Sequence, residues 1–305
     1  MNRQNPVGAC SPNDSSNQNK FARIETMENL LVTTEWLHDH LDHVRVIDIR
    51  GHVLPASAPL PHYYNHYADY TQSHIPGAVF VDWVHEITDP ADPRHAQIAP
   101  PERYADVMRR CGINEDTLVV AYDDAAGMFA ARLWWSLNYY GHSRVAILDG
   151  GWQKWIAEGR PTTGVIPVFP SGDFSPRRVP ELYRDADQVL AALDTPQQLI
   201  DVRTESEFNG DSSRAQRKGH IPGAINLPRA ALVDATGTIL PPEQLRQLFA
   251  DAGITSESPD VVFYCNGGVS ASFGLLALQV AGLAKGSVYD GSWKDWGNDD
   301  SKPVE

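Results

Sequence analysis

A chain of 305 residues is long enough for two cores, and its 3 cysteines, with no C-x-x-C pair, support neither a disulfide framework nor a structural zinc site. The formal net charge of -14, from 25 basic and 39 acidic residues, argues against duplex nucleic acid or an anionic membrane surface as main partner, because both select basic patches. A small anion stays compatible, since it needs only a local arginine and a few inward backbone N–H groups.

In chain order, residues 1–25 are polar, lack the apolar stretch of a signal peptide and predict a disordered tail. No later run is apolar enough for a membrane span, so the expected location is the cytoplasm. TTEWLHDHL (33–41) starts on N-cap residues and predicts a helix, followed by the strand VRVIDI. HIPGA (74–78) predicts a turn: Pro76 fixes φ and Gly77 allows φ > 0. PPERYADVMRRCGI predicts a helix opening on proline and closing near Gly112, with Cys111 packed against it. TLVVAY, GMFAARLWWSLNYYG, RVAILDG and WQKWIAEG continue as strand, helix, strand and helix. Short apolar strands alternating with helices predict a parallel sheet covered on both faces.

The chain then repeats itself. VIDIR (46–50) returns as LIDVR (199–203), HIPGA returns at 220–224, PPE (100–102) at 241–243, and DGGWQKW (149–155) as DGSWKDW (290–296), all in the same order. Spacing between copies shortens across the first landmarks and then holds, as expected when loops absorb length changes. The expected domains are therefore 26–160 and 181–300, joined by a Pro- and Gly-rich linker at 161–180.

In this alignment TLVVAYDDAAGM and DVVFYCNGGVS coincide, so Asp123 stands where the second copy has Cys265. Both positions end a strand just before a helix, where ligands of open parallel sheets bind. A small-residue loop there can turn several N–H groups inward beside the helix dipole, which favours a thiolate. Cys265 is the candidate nucleophile, and Asn266, Gly267, Gly268, Val269 and Ser270 are its candidate anion cradle. Gly267 and Gly268 would let backbone approach the sulfur, and Ser270 would add a hydroxyl donor.

With Cys265, two HIPGA turns and two Asp-Gly-x-Trp motifs, the chain resembles the tandem-domain rhodanese family of thiosulfate and 3-mercaptopyruvate sulfurtransferases, over about residues 26 to 297. The resemblance implies an α/β protein of two tandem rhodanese-like domains, each a parallel sheet flanked by helices, with only the second catalytic. It implies that Cys265 takes sulfane sulfur from a small anionic donor and passes it as a persulfide to a thiophilic acceptor, cyanide or a thiol, without metal or organic cofactor. In the mercaptopyruvate branch two arginines hold the donor's charge: Arg203 fits the first, and Arg214, with Arg217 in reserve, the second. The Cys-Asn-Gly-Gly-Val-Ser loop has neither the Arg-Lys pair of vertebrate thiosulfate enzymes nor the serine of mercaptopyruvate enzymes, which leaves the donor open. Where family enzymes follow the first strand with Ala-Ser-Trp, here Ile49-Arg50-Gly51 follows Asp48, so a different first-domain wall is expected. A monomer or weak homo-oligomer is expected.

Other readings carry less. A phosphatase of related fold would place an arginine six positions after the cysteine, where this chain has Ala271. His62 and His66 lack the glutamate of a metal hydrolase and are expected to be exposed loop residues. His74 and His220 are expected to bond backbone in their turns, and the paired tryptophans to pack. A binding or sensory module of the same fold is the alternative from a different class; a cysteine in the loop favours the enzyme.

Overall fold

The computed structural model describes residues 30–283 and 285–305. The expected tail (1–25) and Cys10 lie outside them.

In the first half the chain forms β1 (Leu31–Val32), α1 (Thr34–His40), β2 (Arg45–Asp48), β3 (Gly51–Val53), β4 (Tyr63–Asn65), α2 (Tyr67–Gln72), β5 (Val79–Phe80), α3 (Pro101–Arg110), β6 (Val119–Tyr122), α4 (Met128–Tyr139), β7 (Val145–Leu148) and α5 (Gly151–Ala157). The second half forms β8 (Tyr183–Arg184), α6 (Ala186–Ala192), β9 (Gln198–Asp201), α7 (Glu205–Phe208), β10 (Ile225–Asn226), α8 (Pro242–Asp251), β11 (Val261–Tyr264), α9 (Val269–Val280), β12 (Gly286–Tyr289) and α10 (Ser292–Trp296). Apolar strands that are buried on both faces need helices on both faces, and all pairings in the two five-stranded sheets are parallel. Strand order is β1-β7-β6-β2-β5 in one and β10-β9-β11-β12-β8 in the other, the same order read from opposite edges. Cys111 closes α3 wholly buried, and burial pushes its thiol up to about 12.

Sequence periodicity did not foretell the antiparallel hairpin of β3 and β4, because its strands are short and a Pro-rich loop separates them. It exists because Gly51 lies so close to Tyr64 and Trp83 that a Cβ would come within 2.4 Å of the Tyr64 carbonyl oxygen. The connection between halves has no helix or strand from 158 to 179, yet it is strapped to the first half. Thr163 bridges His74, the Gly172 N–H donates to Arg109 O at 2.8 Å, and the Phe174 side chain is buried.

The halves grip each other reciprocally. The Ile239 N–H donates to the Asp149 carboxylate at 3.1 Å, and at the equivalent positions the Ile98 N–H donates to Asp290 at 2.9 Å. Helices α4 and α9 meet at the centre, where Gly127 packs on Phe273. Arg132, from α4, forms a wholly buried ion pair with Asp290 at 2.6 Å. One apolar core runs through both halves, which fixes the cleft between the two sets of strand ends.

Candidate active site

A cavity of about 480 Å³ opens between the halves, and Cys265 lies on its wall at the end of β11, 5% exposed. A larger hollow of about 630 Å³ sits beside Phe80 and the connecting segment's Val168, and no nucleophile lines it.

The loop after β11 is set by its partners in DGSW. Ser292 Oγ accepts the N–H groups of Cys265 and Gly268, each at 3.1 Å, while the carbonyls of Cys265 and Asn266 accept the N–H groups of Trp293 and Lys294. Gly268 has φ +80°, and a Cβ on it would lie 2.4 Å from the Asp290 carboxylate, so only glycine fits. Gly267 faces His95 O and Ala96. The two glycines therefore admit Asp290 and the first-half wall; sulfur is not what crowds them. Asn266 Nδ2 donates to Glu207 at 2.8 Å, Val269 lines the cavity, and the Ser270 hydroxyl points to Met128 Sδ at 3.3 Å.

The first half shows what such a loop holds. The buried carboxylate of Asp123 accepts four main-chain N–H groups, from Ala125 and Gly127 on one oxygen and from Phe129 and Ala130 on the other, at 2.7 to 2.9 Å. Burial pushes this carboxyl's pKa up while the amides favour its charge. Helices α4 and α9 both start after a left-handed glycine, Gly127 or Gly268, so the amides of Ser270 and Ala271 correspond to those of Phe129 and Ala130. Among the described residues, the Ser270 and Ala271 amides have no acceptor.

Arg203 lines the cavity with its Nη1 buried and unpartnered, while the rest of its guanidinium is tied into the fold. Its side chain is wholly buried, with Nε 2.9 Å and Nη2 2.5 Å from the Asp201 carboxylate, Nη2 also on Gly219 O, and its guanidinium over Trp293. Arg50 repeats the pairing with Asp48, Ser73 O and Trp152 in the first half, whose equivalent loop has Asp123 in place of Cys265. The pairing with aspartate therefore belongs to the fold, whereas a buried, unpartnered Nη1 beside the cavity is found on Arg203 and not on Arg50. Nor does Arg203 pair with Glu205 or Glu207 on the surface. Arg217 bonds the carbonyls of Trp296, Gly297 and Lys302 away from the cavity.

Arg214 does line the cavity, held by Leu54 O at 2.6 Å and 3.9 Å from Glu207, with its Nη1 buried and unpartnered. Tyr63 and Arg229, which the sequence did not single out, also line the cavity, and Lys294 lies behind its Gly267 wall. Lys294 extends along Gly267 to the hydroxyl of Tyr63, and burial, helped by Arg214 and opposed by Cys265, pushes it down to about 8. Burial likewise raises the Tyr63 phenol, with Arg214 opposing. Arg229 reaches Ala126 O at 3.1 Å and stacks on Phe273; burial lowers its pKa. Lys294 was legible only as the position where the second DGxW copy replaces Gln153 by a cation.

His62 bonds Ala58 O, whereas His66 is half-buried against Asp124, so the pair is not a set of free loop histidines. His74 and His220 bond the carbonyls of Tyr70 and Phe208. Among the described residues no cluster of His, Cys, Asp or Glu could hold a metal ion, and no helix is long and apolar enough to cross a membrane.

Two equivalent α/β halves, with a cradled carboxylate in one and a thiol at the same place in the other, define a duplicated protein with a single cleft between the halves. Residues 33–158 and 185–299 each match the Rhodanese-like domain. A putative thiosulfate sulfurtransferase of Haloferax volcanii is 34% identical over 91% of this chain and 96% of its own length, and the 3-mercaptopyruvate sulfurtransferase of Escherichia coli 32% over 90% and 97%. The crystal structure of SseA from Escherichia coli, one of the 3-mercaptopyruvate sulfotransferases, superposes with a TM-score of 0.77 at 31% identity, covering 87% of this chain and 99% of that one. The chain belongs to the rhodanese family and is an enzyme of the sulfurtransferase class.

Proposed function

We propose that the protein moves sulfane sulfur from thiosulfate or 3-mercaptopyruvate to cyanide or a thiol through a persulfide on Cys265. The observation that carries this reading is the Asp123 carboxylate: four amides hold an anion where the second half has Cys265 beside the unpartnered amides of Ser270 and Ala271. With thiosulfate, the Cys265 thiolate attacks the outer sulfur, the S–S bond of the donor breaks, and sulfite leaves with the electron pair. The persulfide anion then lies in the field of the same amides and of Lys294.

Donor charge is held by Arg214, whose Nη1 has no protein partner, with Arg229 on the wall and Lys294 behind Gly267 adding positive potential in a chain that is acidic overall. Arginine is suited to this task because its fork meets two oxygens of a carboxylate or sulfonate together. Asn266 donates to Glu207, whose carboxylate lies 3.9 Å from Arg214. Similar identity to relatives named for either donor leaves both in play. Steady-state rates with each donor and cyanide test the reading: turnover with at least one is expected, and turnover with neither contradicts it.

A further inference from the structure

The cavity has a second chemical end, built wholly by the first half. Asp124 follows Asp123 in the loop after β6, and its Oδ1 accepts the Gly51 N–H at 3.1 Å, which fixes the carboxylate. Its Oδ2 lies 2.6 Å from His66 Nδ1. His66 Nε2 lies 2.7 Å from His52 Nδ1. The His52 ring stacks on Tyr64 with centroids 4.6 Å apart, so its plane is held. Three segments thus place Asp124, His66 and His52 in one line, and all three residues line the cavity that holds Cys265.

The polarity of that line follows from its anchor. A carboxylate only accepts, so a neutral His66 carries its proton on Nδ1 and accepts at Nε2; His52 in its neutral form then donates from Nδ1 and keeps a lone pair on Nε2. His52 is the exposed member, open to a molecule arriving from solvent, while His66 and Asp124 are largely covered. Such an arrangement makes a general base whose new charge is stabilised through a second imidazole by a fixed carboxylate. Capture of sulfur from thiosulfate needs no base, because the attacking group is already the Cys265 thiolate and sulfite leaves as an anion. A thiol acceptor does need one: with an ordinary thiol pKa of about 8.5, only a few per cent is thiolate at neutral pH.

We infer that the Asp124–His66–His52 line is an acceptor site for a thiol, with His52 as the catalytic base of the second half-reaction. This rests on the persulfide reading above. The acceptor S–H gives its proton to His52 Nε2. Its sulfur then attacks the outer sulfur of the Cys265 persulfide, the S–S bond to Cys265 breaks, and Cys265 leaves as thiolate. His52 returns the proton to the new acceptor persulfide, so no oxidant or reductant is consumed.

The test separates proton removal from every other demand. Wild type, His52→Gln and Asp124→Asn are loaded with sulfur from thiosulfate or 3-mercaptopyruvate, freed of donor, and discharged in single turnover. One discharge uses cysteine, which is mostly protonated at neutral pH; the other uses an aromatic thiol that is already ionised. The expected result is a drop of at least about tenfold in the cysteine-to-aromatic rate ratio for His52→Gln, with a smaller drop for Asp124→Asn, in line with the usual 10²–10⁴ worth of a general base. A structural role would slow both thiols alike, so an unchanged ratio in both variants overturns the inference. Wild type that takes up no sulfur from either donor overturns the persulfide reading and this inference with it.

Discussion

The loop after β6 and the loop after β11 have the same fold and opposite chemistry. In the first, four amides close on a carboxylate that is part of the protein, and the site is filled. In the second, a shorter loop of small residues leaves Ser270 and Ala271 N–H groups without an acceptor, and a thiol stands at the cavity wall. On the proposed function the Asp123 loop is an internal reference for what the Cys265 loop would bind. It also explains how the duplicated fold keeps the first half stable: an anion supplied in cis satisfies donors that would otherwise be buried and unpaired.

The largest expected effect comes from removing the difference between the loops. Cys265→Ser should lower sulfur transfer by at least about 10³-fold with an unchanged melting temperature, because a hydroxyl is far less ionised than a thiol. Residual turnover with either donor, measured as thiocyanate formed from cyanide, would move the nucleophile elsewhere. Next, Asp123→Ala orphans four buried donors and should destabilise the protein by about 3 kcal/mol or more, read from denaturant midpoints. A loss below about 1 kcal/mol would mean that water replaces the carboxylate and that the reference is a poor one.

A third prediction sharpens the same comparison with the paired arginines. Arg50→Met and Arg203→Met each leave a buried aspartate unpaired and should cost a similar amount, about 3 kcal/mol. If Arg203→Met instead raised the donor KM at wild-type stability, Arg203 would be an anchor after all. The smallest effect concerns Lys294. Its ammonium is charged below about 8 and neutral above, so donor KM should rise as pH increases through that value. Lys294→Met should raise KM about tenfold near neutral pH and remove this pH dependence, in keeping with loss of one close charge. A profile with the same inflection in the variant would assign it to another group.

The duplication, the parallel sheets and the cysteine-bearing loop were legible because each depends on local pattern: repeated turns, buried apolar runs and small residues before a helix. Asp-x-Arg after a strand looks the same whether the arginine lines a cavity or folds back on its aspartate, and Arg203 does both. The signal for the pairing was its repetition as Arg50 in the first half, where Asp123 stands in place of Cys265. Tyr63, Lys294, Glu207 and the Asp124–His66–His52 line were out of reach for a different reason. They come together only when a hairpin and two strand-to-helix loops converge on one cavity and the helix of DGSW sets Lys294 behind its Gly267 wall, and no spacing along the chain encodes that meeting.

The most direct test is the intact mass of the protein after brief exposure to thiosulfate or 3-mercaptopyruvate and removal of the donor. A gain of one sulfur, about 32 mass units, mapped to the peptide containing Cys265 and released by cyanide, is the predicted result. A protein whose mass is unchanged with both donors, or whose added sulfur resides on Cys111 or Cys10, would contradict the account.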